Sequence, residues 1–250
     1  MDLSGDPVAT IAPFADNPQP RVLSRAYASE MGPSEDRAVR TADASCDSHL
    51  SGLYHTVLKR MLDLMIAGGM LAIVAPVLPF IALAIWRDSP GPVFFRQTRI
   101  GRDGHLFRIW KFRTMVHQRG EELQFFDTED GEYRHKFRND PRVTRVGVFL
   151  RRTSLDELPQ LLNVLTGEMS LVGPRPEIPH IVQNYQPWQH RRHLVRPGMT
   201  GWWQVNGRSD RPMHEHTELD LYYVDHLSWW LDLRILWRTF RFVVQHSGAF

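Results

Sequence analysis

Hydrophobic and polar positions divide this chain into stretches of very different character. Residues 1–55 show no sustained apolar period and are rich in Ser, Ala, Asp and Pro, so they read as a disordered tail. The tail has neither the basic start nor the apolar run of a signal peptide, which fits a cytosolic location. Leu64 to Trp86, LMIAGGMLAIVAPVLPFIALAIW, then runs 23 residues without a charge. About 20 such residues cross a hydrocarbon core. Pro76 and Pro79 interrupt the run, each removing a backbone donor and crowding the preceding turn. Basic residues flank both ends, so charge gives no inside–outside bias. A re-entrant helix–break–helix hairpin over residues 58–86 accounts for both features. Twelve residues before Pro76 make about 18 Å of helix and ten after it about 15 Å, so each arm crosses one leaflet. A buried helix pair inside a soluble core is the alternative.

Beyond the hairpin, Val93–Met115 alternates apolar residues with Arg around Asp103-Gly104, which predicts a β-hairpin. Residues 117–140 are polar and read as a loop with a short helix. Arg142–Thr153 places Val143, Val146, Phe149 and Leu150 on one helical face with Arg142, Arg145 and Arg152 off it. That pattern suits a headgroup layer or an ordinary surface helix. Arg196–Arg208 is punctuated by Pro197-Gly198 and Asn206-Gly207 and predicts short strands and turns. Glu218–Gln245 carries Tyr, Trp and Phe with Arg234, Arg238 and Arg241 at helical spacing. It is either an interfacial helix or a cover for a soluble core.

Charge adds a direction to this layout. Residues 1–50 hold four Arg against eight Asp and Glu, whereas residues 51–250 hold 26 basic and 20 acidic residues. A mildly basic body suits an anionic partner: phosphate, a lipid surface or nucleic acid. The lone cysteine, Cys46, excludes an intrachain disulfide and a cysteine-rich metal site. The histidines form no H-x-x-x-H motif, and His214 with His216 reads as a surface pair.

Candidate chemistry centres on TSLDELPQLLNVLTGEMSLVGPRPE, Thr153–Glu177. Ser154 and Glu157 match a capping box, and Gly167 matches a helix stop. On a helix, Asp156 and Glu157 point about 100° apart, too far to share a proton but suited to two tasks around one phosphate. Pro159 distorts the first turn. Arg151, Arg152 and Arg175 supply cations, and Arg175 stands between two prolines that restrict it to extended backbone. An ionised carboxylate at a helix start, a phosphate and arginines call for a divalent cation bound by oxygen, Mg²⁺ or Mn²⁺. The chemistry implied is phosphoryl transfer, with an aspartyl-phosphate type intermediate as one route.

The ordered blocks KRMLDL, DSPGPVFFRQTRIG, WKFRTM, DPRVTRVGVFLRRTSLDELPQLLNVLTGEMSLVGPRPE, RPGMTGWWQVNGR and LDLYYVDHLSWWLDLRILWRTF run from Val57 to Val244. In them the chain resembles the bacterial sugar transferases, the monotopic polyprenyl-phosphate phosphoglycosyl transferases, and among these the exopolysaccharide-initiating galactose or glucose type. The resemblance implies an α+β fold over residues 56–250: a monotopic membrane protein with a re-entrant hairpin, amphipathic interfacial helices and a small β-hairpin. It implies transfer of a sugar-1-phosphate from UDP-galactose or UDP-glucose to undecaprenyl phosphate, releasing UMP, as the first membrane step of exopolysaccharide or O-antigen synthesis. Asp156 would be the nucleophile. Glu157, with Asp156, would hold Mg²⁺ or position phosphate. Lys111, Arg151, Arg175 and Asp220 would bind phosphate or substrate. The expected place is the cytosolic face of the bacterial inner membrane, in contact with phospholipid, with no nucleic-acid partner and with a homo-oligomer left open. Family members often carry Ser-Pro at the hairpin break, where this chain has Ala75-Pro76, so Pro79 is expected to carry more of the bend. Glu168 stands where Asp is commoner. Larger relatives carry an N-terminal multi-span bundle, and the short form without one is expected here.

Two rivals remain. A glycosidase-like acid/base pair needs carboxyls about 5–9 Å apart across a substrate, which adjacent helical positions do not supply. A membrane adaptor docking lipid or nucleic acid through its basic surface leaves Asp156 and the Pro-Arg-Pro segment without a role.

Overall fold

The apolar run folds as two helices, not one. The computed structural model describes residue 52 and residues 54–116, 140–207 and 216–244. The tail, the loop expected at 117–140 and His214 thus lie outside the described residues, apart from a few positions at their edges. A π-helical turn, Tyr54–Leu58, leads into α1, Lys59–Val74, and a three-residue break leads into α2, Leu78–Asp88, bent by 63°. Among the described residues no single helix is long and apolar enough to cross a membrane, but the bent pair taken together is. The two prolines divide the work differently from expectation. Pro76 lies in the break itself, while Pro79 sits in the first turn of α2, where a missing N–H costs little.

Helix α1 packs with its polar side inward. Lys59, Asp63 and Ala67 are the buried residues of α1, while Met65 is 72% exposed and Ile73 77%. Lys59 Nζ donates to the Val172 carbonyl (3.0 Å) and to Asp232 Oδ2 (2.6 Å), and Asp63 Oδ1 accepts from Leu171 N (3.0 Å). Arg60 donates to the Val164 and Leu165 carbonyls at 2.6 and 3.0 Å.

Strands β1 (Phe94–Ile100) and β2 (Leu106–Phe112) form the expected antiparallel hairpin, with Phe94 opposite Phe112 and Ile100 opposite Leu106. Asp103 and Gly104 take positive φ (54° and 76°) in its turn, as the Asp-Gly signal predicts. Helix α3 spans Arg145–Thr153 and is capped by Thr144 Oγ1, which accepts from Gly147 N (3.0 Å). Its inward face is Val146, Gly147 and Leu150. Phe149, expected on that face, is exposed. Gly147 has no room for a side chain, because a Cβ there would overlap the Thr114 carbonyl.

After α4 (Gln160–Thr166), β3 (Ser170–Val172) pairs in parallel with β4 (Gly198–Thr200). The crossover carries the short α5 (Pro179–Val182) and a 3₁₀ segment, Pro187–Leu194. Residues 202–207, expected as strand and turn, form α6 (Trp202–Gly207). The C-terminal aromatic stretch is two helices, α7 (Thr217–Asp225) and α8 (Trp229–Val244). The main core joins Ala67 of α1, Phe107 and Ile109 of β2, Leu161 and Val164 of α4, Tyr223 of α7, and Leu231 and Ile235 of α8. A smaller core of Ile81, Ile85, Phe112 and Leu150 seats α2 on β2 and α3. The mixture of helices and two small sheets is α+β.

Candidate active site

The acidic pair does not open a helix. Ser154 closes α3 in a left-handed conformation (φ 55°), its N–H bonding back to the Arg151 carbonyl. Leu155–Glu157 then form a 3₁₀ turn, and α4 begins only at Gln160, after Pro159. The capping box is therefore not made. The Leu155 carbonyl accepts from Leu158 N instead (3.2 Å), the i→i+3 bond that a proline at 159 leaves open. A non-glycine residue with positive φ costs about 1–2 kcal/mol, and this one turns the chain sharply so that both acids face β2 and the segment after β3. Gly167 does end α4, at φ 88°.

Two elements converge on Glu157. Lys111, near the end of β2, donates its Nζ to Glu157 Oε1 (2.8 Å), and Arg175 Nη2 donates to the same oxygen (2.7 Å). Burial alone would raise the Glu157 pKa, but Arg175 and Lys111 outweigh it and hold the carboxyl well below the usual range. Glu157 Oε2 takes no hydrogen bond from a described residue. Lys111 is itself pushed down by burial, with Glu157 opposing.

Asp156 is in the opposite condition. It is half-buried and accepts no hydrogen bond from a described residue. Burial first, and the Glu157 charge second, push it up to about 6, while Lys111, Arg151 and Arg175 pull it down. Arg151 is steadied by its Nε bond to Thr114 Oγ1 (2.9 Å). One acid is thus pinned by two cations, and its neighbour stands among the same cations without a bond.

Of the residues singled out in the sequence, the structure brings together Asp156, Glu157, Lys111, Arg151 and Arg175. Asp220 is not among them. It is 1% exposed in α7 and pairs with Arg192 (2.6 Å), with burial raising its pKa to about 6 against the pull of Arg192. Pro76 and Pro79 belong to the hairpin. Sequence reading missed Thr114, Arg192 and Arg99. Thr114 lies in WKFRTM, but nothing local marks its hydroxyl as the partner of an arginine 37 positions on.

A carboxylate pair in a nest of fixed cations suits an anionic ligand, and comparison with known proteins gives the class, the sugar transferases. Residues 54–246 match the family described as bacterial sugar transferase, and the chain belongs to that family. It is 45% identical over 204 residues to the UDP-glucose:undecaprenyl-phosphate glucose-1-phosphate transferase of Escherichia coli K12, covering 77% of this chain and 41% of that protein. It is 40% identical over 199 residues to the undecaprenyl-phosphate galactose phosphotransferase of Salmonella typhimurium LT2, covering 77% and 42%. The exopolysaccharide production protein PSS of Rhizobium leguminosarum bv. phaseoli is 42% identical over 194 residues, covering 73% of this chain and 93% of that protein. The chain therefore spans less than half the length of the first two relatives and nearly all of the third.

Proposed function

We propose that the protein transfers a sugar-1-phosphate from a UDP-sugar, galactose or glucose, to undecaprenyl phosphate, releasing UMP, as the opening step of exopolysaccharide or O-antigen synthesis. The observation that carries this reading is the unequal treatment of the two acids. Glu157 is bound by Lys111 and Arg175, while Asp156 stands among the same cations and accepts no hydrogen bond from a described residue. An Asp156 oxygen attacks the β-phosphorus of the donor, and the bond from that phosphorus to the bridging oxygen breaks with UMP as leaving group. An oxygen of the acceptor phosphate then attacks the aspartyl-bound phosphorus and restores the carboxylate. Lys111, Arg151 and Arg175 bind the phosphate oxygens and neutralise charge that builds up in each step.

The residues fit Mg²⁺. Among the described residues no group of three or more His, Cys, Asp or Glu assembles, but Mg²⁺ is commonly held by one or two carboxylates with substrate phosphates and water. Asp156 and the open Oε2 of Glu157 would hold it, and when bound it would offset the repulsion between carboxylate and diphosphate.

The reading also assigns a place, the cytosolic face of the bacterial inner membrane, with α1 and α2 re-entering one leaflet. Support comes from the inverted amphipathicity of α1 and from the outward Phe80 and Trp86 of α2, 72% and 63% exposed. The test mixes purified protein, Mg²⁺ and each UDP-sugar with and without undecaprenyl phosphate. UMP release that requires the lipid supports the reading; sugar release without lipid marks a hydrolase, and no release marks an adaptor.

A further inference from the structure

The Pro174–Glu177 segment that presents Arg175 has few ways to be held. Pro174 and Pro176 have no N–H, so the fixing falls largely to carbonyls. All four accept a hydrogen bond, each from a different donor. Pro174 O accepts from Gly198 N (2.9 Å), Arg175 O from Arg192 Nη2 (2.6 Å), Pro176 O from Arg99 Nη1 (3.2 Å) and Glu177 O from Ile100 N (3.0 Å). The shortest of the four falls on Arg175, whose own guanidinium reaches Glu157. Arg192 is 2% exposed, and its other partners include the Tyr185 hydroxyl and the Asp220 carboxylate. A guanidinium removed from water this far needs a counter-ion, and Asp220 supplies it from α7.

We infer that Arg192 is a positioning residue for the transfer reaction. Neutralised by Asp220 and steadied by Tyr185, it fixes the Arg175 carbonyl and so aims the Arg175 guanidinium at Glu157 and at the donor's phosphates. The inference rests on the proposed transferase reading for its substrate. It moves Asp220 from substrate contact to counter-ion. Lysine cannot stand in for Arg192, because a single ammonium point does not span three partners as a planar fork does.

The test is a double-mutant cycle on the full chain in detergent with R192K, R175A and the pair. Two readouts are used: UDP affinity by calorimetry and kcat/KM for UDP-glucose and UDP-galactose with undecaprenyl phosphate. R192K is expected to weaken UDP binding about tenfold when Arg175 is present and less than about twofold when it is already alanine. A merely structural role gives equal losses in both backgrounds, and that result overturns the inference. If R192K does not fold, Y185F removes one partner of Arg192 without stranding a charge. The same cycle with R175A then shows a loss of about threefold that vanishes in the alanine background, and additivity there overturns the inference equally. Wild-type UMP release separates the two claims. Turnover with additive losses removes only the positioning role, whereas coupled UDP binding without turnover removes the transferase reading and leaves Arg192 aiming Arg175.

Discussion

Asp156 and Glu157 are chain neighbours with opposite electrostatic fates, and the difference decides which can be a nucleophile. Glu157 is held ionised by two cations and stays so at any working pH, so it contributes no titration step near neutrality. Asp156, lifted to about 6, must lose its proton before it can attack. In Mg²⁺-free protein the Asp156 carboxyl should therefore titrate near 6, and a carboxyl carbon NMR shift flat from pH 5 to 8 would show that it does not. Asp156→Asn should lower turnover by about 10⁴-fold or more, the scale of losing a covalent nucleophile. The same substitution has a stability consequence of opposite sign. Because the folded pKa lies above the ordinary 3.8, the charged form is disfavoured by folding, and that cost grows between 3.8 and 6 and is full above it. Asp156→Asn should thus be more stable than wild type by about 3 kcal/mol at pH 7.5, with the gap closing toward pH 4. Equal melting at pH 7.5 in thermal scans would mean the carboxylate is not held at electrostatic cost. Sequence alone picked out both acids, since an acidic pair beside Arg151 and Arg175 is a local pattern. It could not say which acid was pinned, because Lys111 reaches Glu157 across 46 residues through the register of β2.

Among the elements, α1 and α8 each turn charged residues inward, Lys59 and Asp63 on α1 and Asp232 on α8, while several of their large apolar side chains face out. Asp232 of α8 is 1% exposed and accepts from Lys59, the Tyr54 hydroxyl (2.6 Å) and the Tyr223 hydroxyl (2.7 Å), while Trp229, Trp230, Trp237 and Phe240 of the same helix are exposed. The buried ion pair and its hydrogen bonds therefore join the two helices, beside the apolar contacts of Ala67, Leu231 and Ile235 in the main core. Lys59→Met should lower stability in detergent by about 3–5 kcal/mol, as breaking one side of a buried pair does, and the double variant K59M/D232L should lose less than the sum of the singles. A shift under about 1 kcal/mol for Lys59→Met, followed by chemical denaturation, would show that the pair does not carry the docking. The uncharged run, the Asp103-Gly104 hairpin and the Gly167 stop were legible because each depends on residues close in sequence. Two elements were not. The capping-box pattern at Ser154 was overridden by the end of α3 and by Pro159, and residues 202–207 became a helix because their fate was set by packing near α7 and α8 rather than by turn residues. The aromatic C-terminal stretch gave its helical period but concealed the break at 226–228, and with it the inward turn of Asp232.

For the whole molecule, the attachment of the hairpin fixes its topology on the proposed membrane reading. The first end is tied to the body by Lys59, Arg60 and Asp63, which reach β3 and the end of α4. The second end is tied by Asp88 Oδ2, which accepts from Val146 N (2.8 Å), and by the Ser89 and Pro90 carbonyls, which accept from Arg113 at 2.7 and 2.6 Å. Both ends are thus bonded to one continuous core in which β2, α3 and α4 also hold Lys111, Arg151 and the acidic pair. A spanning segment would need about 30 Å of hydrocarbon between its ends, and no such gap can open while both sets of bonds persist. On that reading, the shared attachment of both ends keeps the acids beside the leaflet that the hairpin enters. Cysteines placed at Gly52 and Pro90, both exposed, in a Cys46→Ser background test this directly. In sealed vesicles of one orientation, both should react with an impermeant maleimide from the same side and neither from the other. Labelling from opposite sides would mean that the segment spans, that one set of anchoring bonds is broken in the membrane, and that the active-site elements are not held to the bilayer face in the way their bonding to the hairpin requires.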